Sequence, residues 1–173
     1  DAVKQALDIK DSVRVATTAN IASTYNNGTS GVGATITADA NGAISIDDVS
    51  PTTNDRVLVK NQTDTTENGI YKVTTVGDGS NPFVLTRAID NDSSADMTGG
   101  VFCFVEEGTV SADAGFVLSN VTGSATLGTT GLGFTQFSGA GSVTAGAGLG
   151  KTGNTLSVNV DDASIEINSD TLR

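Results

Sequence analysis

The chain has 173 residues, with 20 acidic and 9 basic side chains, a formal charge of −11, one cysteine, and no histidine or tryptophan. That balance argues against a nucleic-acid partner, which needs clustered Lys and Arg, and the missing imidazole removes every His-dependent acid–base or nucleophilic mechanism. A lone cysteine leaves no intramolecular disulfide and no cysteine-based zinc site, and no apolar stretch approaches the ~18 residues that would insert in a membrane.

In chain order, residues 1–10 predict the one helix, because Val3, Ala6 and Leu7 fall on a single stripe. About three turns are marginal alone in water, so the stub needs a partner, which copies of itself would supply. The periodicity then shifts to two: Val13 and Val15 flank Arg14, and residues 23–33, rich in Asn, Gly and Ser, read as a loop. Residues 43–46 alternate and end at Asp47-Asp48. Residues 56–60, apolar on both faces, predict a central strand. Residues 70–76 and 83–87, separated by the turn residues Gly77 to Pro82, predict a hairpin. In residues 101–105, Phe102 and Phe104 share one face and Val101, Cys103 and Val105 the other. Residues 115–118 and 133–137 complete the set.

Short strands at intervals of about 10 to 15 residues, without a helix long enough for a crossover, predict an all-β fold: an antiparallel β-sandwich or barrel-like globular domain. Residues 138–151 are Gly- and Ala-rich and read as a linker. Beyond them Leu156, Val158 and Val160 point one way, Asp161-Asp162 turns the chain, and Ile165 and Ile167 repeat the alternation. Two short strands cannot bury such a stripe unaided, so sister chains are expected to cover it. The expected division is a helical stem end at 1–11, a globular β domain at 12–138, and a linker with the start of a fibrous β shaft at 139–173. The sequence reads as a segment of a longer polypeptide.

The motifs with chemical potential have plainer explanations. Residues 145–152 match a relaxed phosphate loop, but residues 153–158 read as turn and strand rather than the helix that would hold phosphates. Asp90, Asp92 and Asp96 resemble a calcium loop in ligand type, yet Ala95 and Val101 stand where Gly and the closing Glu belong. Glu106 and Glu107, with Asp113 nearby, suggest a glycosidase pair, but neighbours on a strand face opposite sides. Cys103 reads as a small buried hydrophobe, and Tyr71 as a packed ring, Tyr25 being the freer candidate for a sugar. The expectation is no enzyme, no catalytic residue, no metal and no cofactor. The competing class is a polysaccharide-degrading spike built on Asp90, Asp92, Asp96, Glu106, Glu107 or Asp113.

Residues 7–21, 55–63 and 67–71 resemble a module repeated in tail-fibre and related virion proteins of tailed bacteriophages, and Leu85-Thr86-Arg87-Ala88, residues 104–108 and residues 134–139 continue the resemblance. Residues 148–156 resemble the shaft segments that come after such modules. The longer stretch at 23–42 departs from the usual pattern. The resemblance implies a homotrimeric structural component of the phage tail, a spacer or adhesion module that joins other tail or baseplate proteins, with a bacterial surface glycan as a wider partner. It carries over no catalytic motif. A decoration or head fibre on the capsid is the alternative location.

Overall fold

A computed structural model describes residues 8–138, 145–152, 155–158, 167–168 and 171–172. The chain forms two compact units, Asp1–Phe137 and Ser138–Arg173. It is an all-β protein, with one short 3-10 turn, Thr65–Glu67, among its described residues.

The first unit contains two sheets. The larger runs in the order β2 (Val15–Ala16), β5 (Arg56–Val59), β6 (Gly69–Thr75), β7 (Val84–Arg87), β4 (Thr35–Ala38) and β3 (Ser23–Asn26). The smaller runs β1 (Asp8–Ile9), β8 (Val101–Phe104), β9 (Gly115–Leu118) and β10 (Phe134–Gln136). Pairings are antiparallel except at one edge of each sheet, where β1 lies parallel to β8 and β2 parallel to β5. Both exceptions belong to one extended segment. Lys10 N–H donates to Phe102 O at 2.9 Å, Val13 N–H to Phe104 O at 2.8 Å, and Thr17 N–H to Leu58 O at 2.9 Å. Ten extended residues reach about 30 Å, enough to border two sheets in succession.

This segment corrects the C-terminal end of the expected helix. Asp8 and Ile9, placed in the helical stretch, are strand, and residues 1–7, which carry Val3, Ala6 and Leu7, lie outside the described residues. The apolar stripe ended at Leu7; from Asp8 onward the edge of β8 offers backbone partners that a β-branched Ile9 accepts readily.

The strands at 56–60, 70–76 and 83–87 form where the sequence places them. Val57, Leu58 and Val59 are all buried because β5 lies between β2 and β6. The turn joining β6 to β7 is built on Asp78, whose carboxylate accepts from Ser80 N–H at 2.7 Å and Asn81 N–H at 2.9 Å. Two expectations fail. Residues 23–33 contain strand β3, which reaches Asn26, and residues 43–46 form no strand, only an isolated bridge from Ile46 to Val49. An edge strand needs few apolar residues, and Ser23–Asn26 alternates between exposed and half-buried positions.

The larger sheet packs on both faces. Val15, Ile36, Val57, Val59, Tyr71, Val73 and Leu85 share one face with Ile44 and Ile46 of the connecting loop. On the other, Ala16, Leu58, Ile70 and Ala88 meet Cys103, Val105 and Phe116 of the smaller sheet and its flank. A third cluster holds Met97, Val101, Leu118, Ala125, Leu127 and Leu132. In the second unit, β11 (Leu149–Thr152) and β12 (Thr155–Val158) make one antiparallel hairpin, and β13 (Ile167–Asn168) and β14 (Thr171–Leu172) another. Residues 139–144, 159–166 and 169–170 lie outside the described residues, so most of the predicted linker, Val160, Asp161-Asp162 and Ile165 are not placed.

Candidate functional site

The carboxylates suggested by the sequence are dispersed among structural partners. Asp90 accepts two hydrogen bonds from Arg56, at 3.0 and 2.8 Å. Its burial favours the neutral acid, but the Arg56 hydrogen bonds and charge outweigh that and hold the carboxyl below its ordinary range. Asp92 is pushed up, chiefly by burial and then by the nearby Asp96 charge. Asp96 accepts from the Ser93 hydroxyl. Between them Asn91 is wholly buried, accepting from Ile70 N–H at 2.8 Å and facing the Met97 sulfur. The segment is thus a turn anchored in the core by an amide.

Glu106 accepts from the Ser12 hydroxyl, while Glu107 pairs with Arg14 at 3.1 Å. Each therefore belongs to a different partner on the crossing N-terminal segment. Asp113 occupies a left-handed turn position, φ +58°. Cys103 is buried, and that burial pushes its thiol up to about 12, so no thiolate is available near neutrality. Among the described residues no group of three or more Asp, Glu or Cys is placed to hold a metal ion.

Both tyrosines are tied into the protein through their hydroxyls. Tyr71 is wholly buried and donates to Glu67 O; Arg87 lies over its ring at 4.8 Å and donates to its hydroxyl at 2.7 Å. Burial holds the Tyr71 phenol far above its usual range. Half-buried Tyr25 donates to Asn27 Oδ1 at 2.8 Å. The glycine-rich motif at 145–152 ends in β11, so Lys151 pairs with Leu156 across a hairpin and no helix N-terminus lies beside it.

One concave feature was not anticipated. A cleft of about 350 Å³ is lined by Asn20, Ser23, Asp39, Gln62, Asp64 and Glu67, among others. Its wall is held by Gln62, 5% exposed, which accepts from Ile21 N–H at 2.8 Å and donates to Ile21 O and Glu67. Asp64 caps the 3-10 turn through Thr66, and those hydrogen bonds lower its pKa. Asp64 with Glu67 three residues on is a capping-box spacing, the one sequence signal that marked this wall.

Two apolar surfaces stand out against these polar groups. On the smaller sheet, Phe102, Phe104 and Phe137 meet edge to face, with centroids 6.2, 5.6 and 5.8 Å apart. Phe104 is 46% and Phe137 49% exposed, and Ile9, paired with Phe102 in register, is 71% exposed. In the second unit, Leu149 is in register with Val158 and Lys151 with Leu156, so positions 149, 151, 156 and 158 fall on one side of the hairpin, with Leu149 41% and Leu156 47% exposed. The sequence showed the Phe102/Phe104 alternation and the Leu156/Val158 stripe; it did not bring Phe137 or Ile9 beside them. Compared with models of protein families, with curated proteins and with solved structures, the chain gives no match.

Proposed function

We propose that this chain is a non-enzymatic structural module of a bacteriophage tail fibre: a homotrimeric spacer in the virion tail, joined to other tail or baseplate proteins, that contributes to host attachment. In this reading the first unit is a β-sandwich with its larger and smaller sheets as layers, and the second begins a fibrous shaft. The observation that carries it is the β11–β12 hairpin. Two strands of four residues are marginal in water, yet this pair keeps Leu149 and Leu156 about half exposed in a single chain. Three copies around an axis would cover that side of each hairpin, since closed rings of identical chains suit such surfaces.

The commitment of Asp90, Glu106 and Glu107 to Arg56, Ser12 and Arg14 supports a structural rather than hydrolytic role. Light scattering on the intact chain at micromolar concentration should report three times the chain mass, with elongated particles in electron micrographs. A monomer at all concentrations would overturn the proposal. Release of reducing ends from host capsule, abolished by replacing the carboxylates, would replace it with the spike reading.

A further inference from the structure

We infer that the bare face of the four-stranded sheet, centred on Phe102, Phe104 and Phe137, is where a second copy of this chain docks. The inference rests on the trimeric reading and names the surface of the first unit that takes part.

Register defines the face. Ile9, Phe102, Val117 and Thr135 stand in one row across β1, β8, β9 and β10. The next row holds Phe104 opposite Gly115, and Phe137 joins it by donating its N–H to Gly115 O at 2.9 Å. The alternate residues, Val101, Cys103, Phe116 and Leu118, are buried in the core. This strand set is therefore apolar on both sides, a pattern of sheets covered twice.

Charge selects the occupant. The chain carries −11, yet Asp8 is the one charged residue in the four strands. Two copies repel over most of their surfaces and least over this face. A cationic partner would instead be drawn to the acidic remainder of the molecule.

Area and chain continuity say how the face is used. Three phenylalanines, at ~150–250 Å² each when fully buried, leave roughly 300–400 Å² of aromatic and neighbouring aliphatic surface here. A stable pair buries about 800 Å² per partner, so the face does not hold two copies alone. It is fed by a tether: Phe137 precedes the first hairpin residue, Leu149, by twelve positions, a reach of at most ~40 Å. Copies gathered by their hairpins hold their Phe137 ends at an effective concentration near the millimolar range, where a weak apolar contact forms.

Phe104→Trp tests this in the intact chain, because it introduces the sole indole. The expected result is a trimer by light scattering with blue-shifted emission and acrylamide quenching several-fold weaker than in the denatured chain. A trimer whose indole is quenched as freely as in the denatured chain overturns this inference and leaves the trimeric reading standing. A monomer whose indole is protected overturns both and assigns the cover to the chain's own remaining segments. The paired variant Phe104→Ser, Phe137→Ser should dissociate at a concentration at least ~30-fold higher with its circular dichroism spectrum unchanged; dissociation as in the parent chain would also overturn the inference.

Discussion

The two sheets of the first unit are built from the same kind of sequence and end in different states. In the six-stranded sheet, Val57, Tyr71, Leu85 and Ile36 lie beneath Ile44 and Ile46, delivered by the long loop between β4 and β5. In the four-stranded sheet, the connections deliver Met97, Ala125, Leu127 and Leu132 to the inner side, and on the outer side Phe104 and Phe137 stay about half exposed. Alternation alone therefore does not tell a core from an interface. What decides is where the loops return.

The largest expected effect sets the two faces directly against each other. Leu58 is fully buried where the sheets meet, so Leu58→Ala should cost about 2–5 kcal/mol, with the loss concentrated in a cavity that the strands cannot close. Phe104→Ala, measured by denaturant unfolding at a dilution where the chain is dissociated, should cost less than ~1 kcal/mol, because half of the ring already meets water in the single chain. Equal losses would mean that the outer face is covered within one chain, and the contrast between the sheets would disappear.

Next in size is Gly69. Its φ is +149°, and a Cβ there would lie 2.1 Å from Arg87 Nη1. Arg87 is 3% exposed and uses neutral acceptors, donating to Asn68 O at 3.1 Å and to the Tyr25 and Tyr71 hydroxyls. Gly69→Ala should therefore cost about 2 kcal/mol through strain and displacement of the guanidinium. Combined with Arg87→Met, the losses should be less than additive, because the flexible thioether yields to the new methyl. Full additivity in chemical unfolding would show that backbone strain alone sets the cost.

A smaller effect tests what holds the covering loop. Asp47, at φ +51°, accepts from Val110 N–H at 3.0 Å and Ser111 N–H at 2.8 Å. Those bonds tie the loop that carries Ile44 and Ile46 to the chain after β8. Asp47→Ala should cost about 1–2 kcal/mol, since two donors lose their acceptor, and should raise hydrogen exchange at Ile44 and Ile46 before it does so in β8 and β9. Uniform acceleration across both sheets would count against the loop as an independent cover.

Much of this contrast was legible in the sequence, and the reasons for the misses are physical. The β5, β6 and β7 strands are dense in β-branched and aliphatic residues, so local pattern and final burial agree. In β8, alternation sets Phe102 and Phe104 opposite Cys103, but which side would be covered depended on returns some thirty residues away. Strand β3 stayed hidden because an edge strand with half-exposed residues carries little apolar signal. Residues 43–46 alternate as a strand would, yet serve as a cover that makes only scattered backbone contacts, Ile46 bridging Val49 and Ile44 N–H donating to Val76 O at 2.8 Å. The dispersal of the acidic residues was readable only for Glu106 and Glu107, where adjacency forces opposite faces. Arg56's hold on Asp90 joins positions 34 residues apart, a distance at which sequence spacing says nothing.

The smallest expected effect lies near the seam between the sheets, where Arg56 and Asp90 are close enough to bias the buried Cys103 thiol. Asp90 is held below its ordinary value of 3.8. Its pairing therefore stabilises fully above about pH 5, and that contribution is lost as pH falls through the depressed folded pKa. Asp92 is displaced the other way, so its ionisation opposes folding near neutrality and its protonation on acidification relieves that penalty before Asp90 begins to titrate. Melting temperature should thus stay level or rise slightly from pH 6 towards 4 and fall below it. Asp92→Asn should flatten the upper part, and Asp90→Asn should shrink the acid loss by under ~1 kcal/mol, the range for a partly exposed pair. If Asp90→Asn leaves the acid limb as steep as before, the bidentate pair adds nothing at the seam, and the two sheets are held together there by Leu58, Ile70, Cys103 and Phe116 alone.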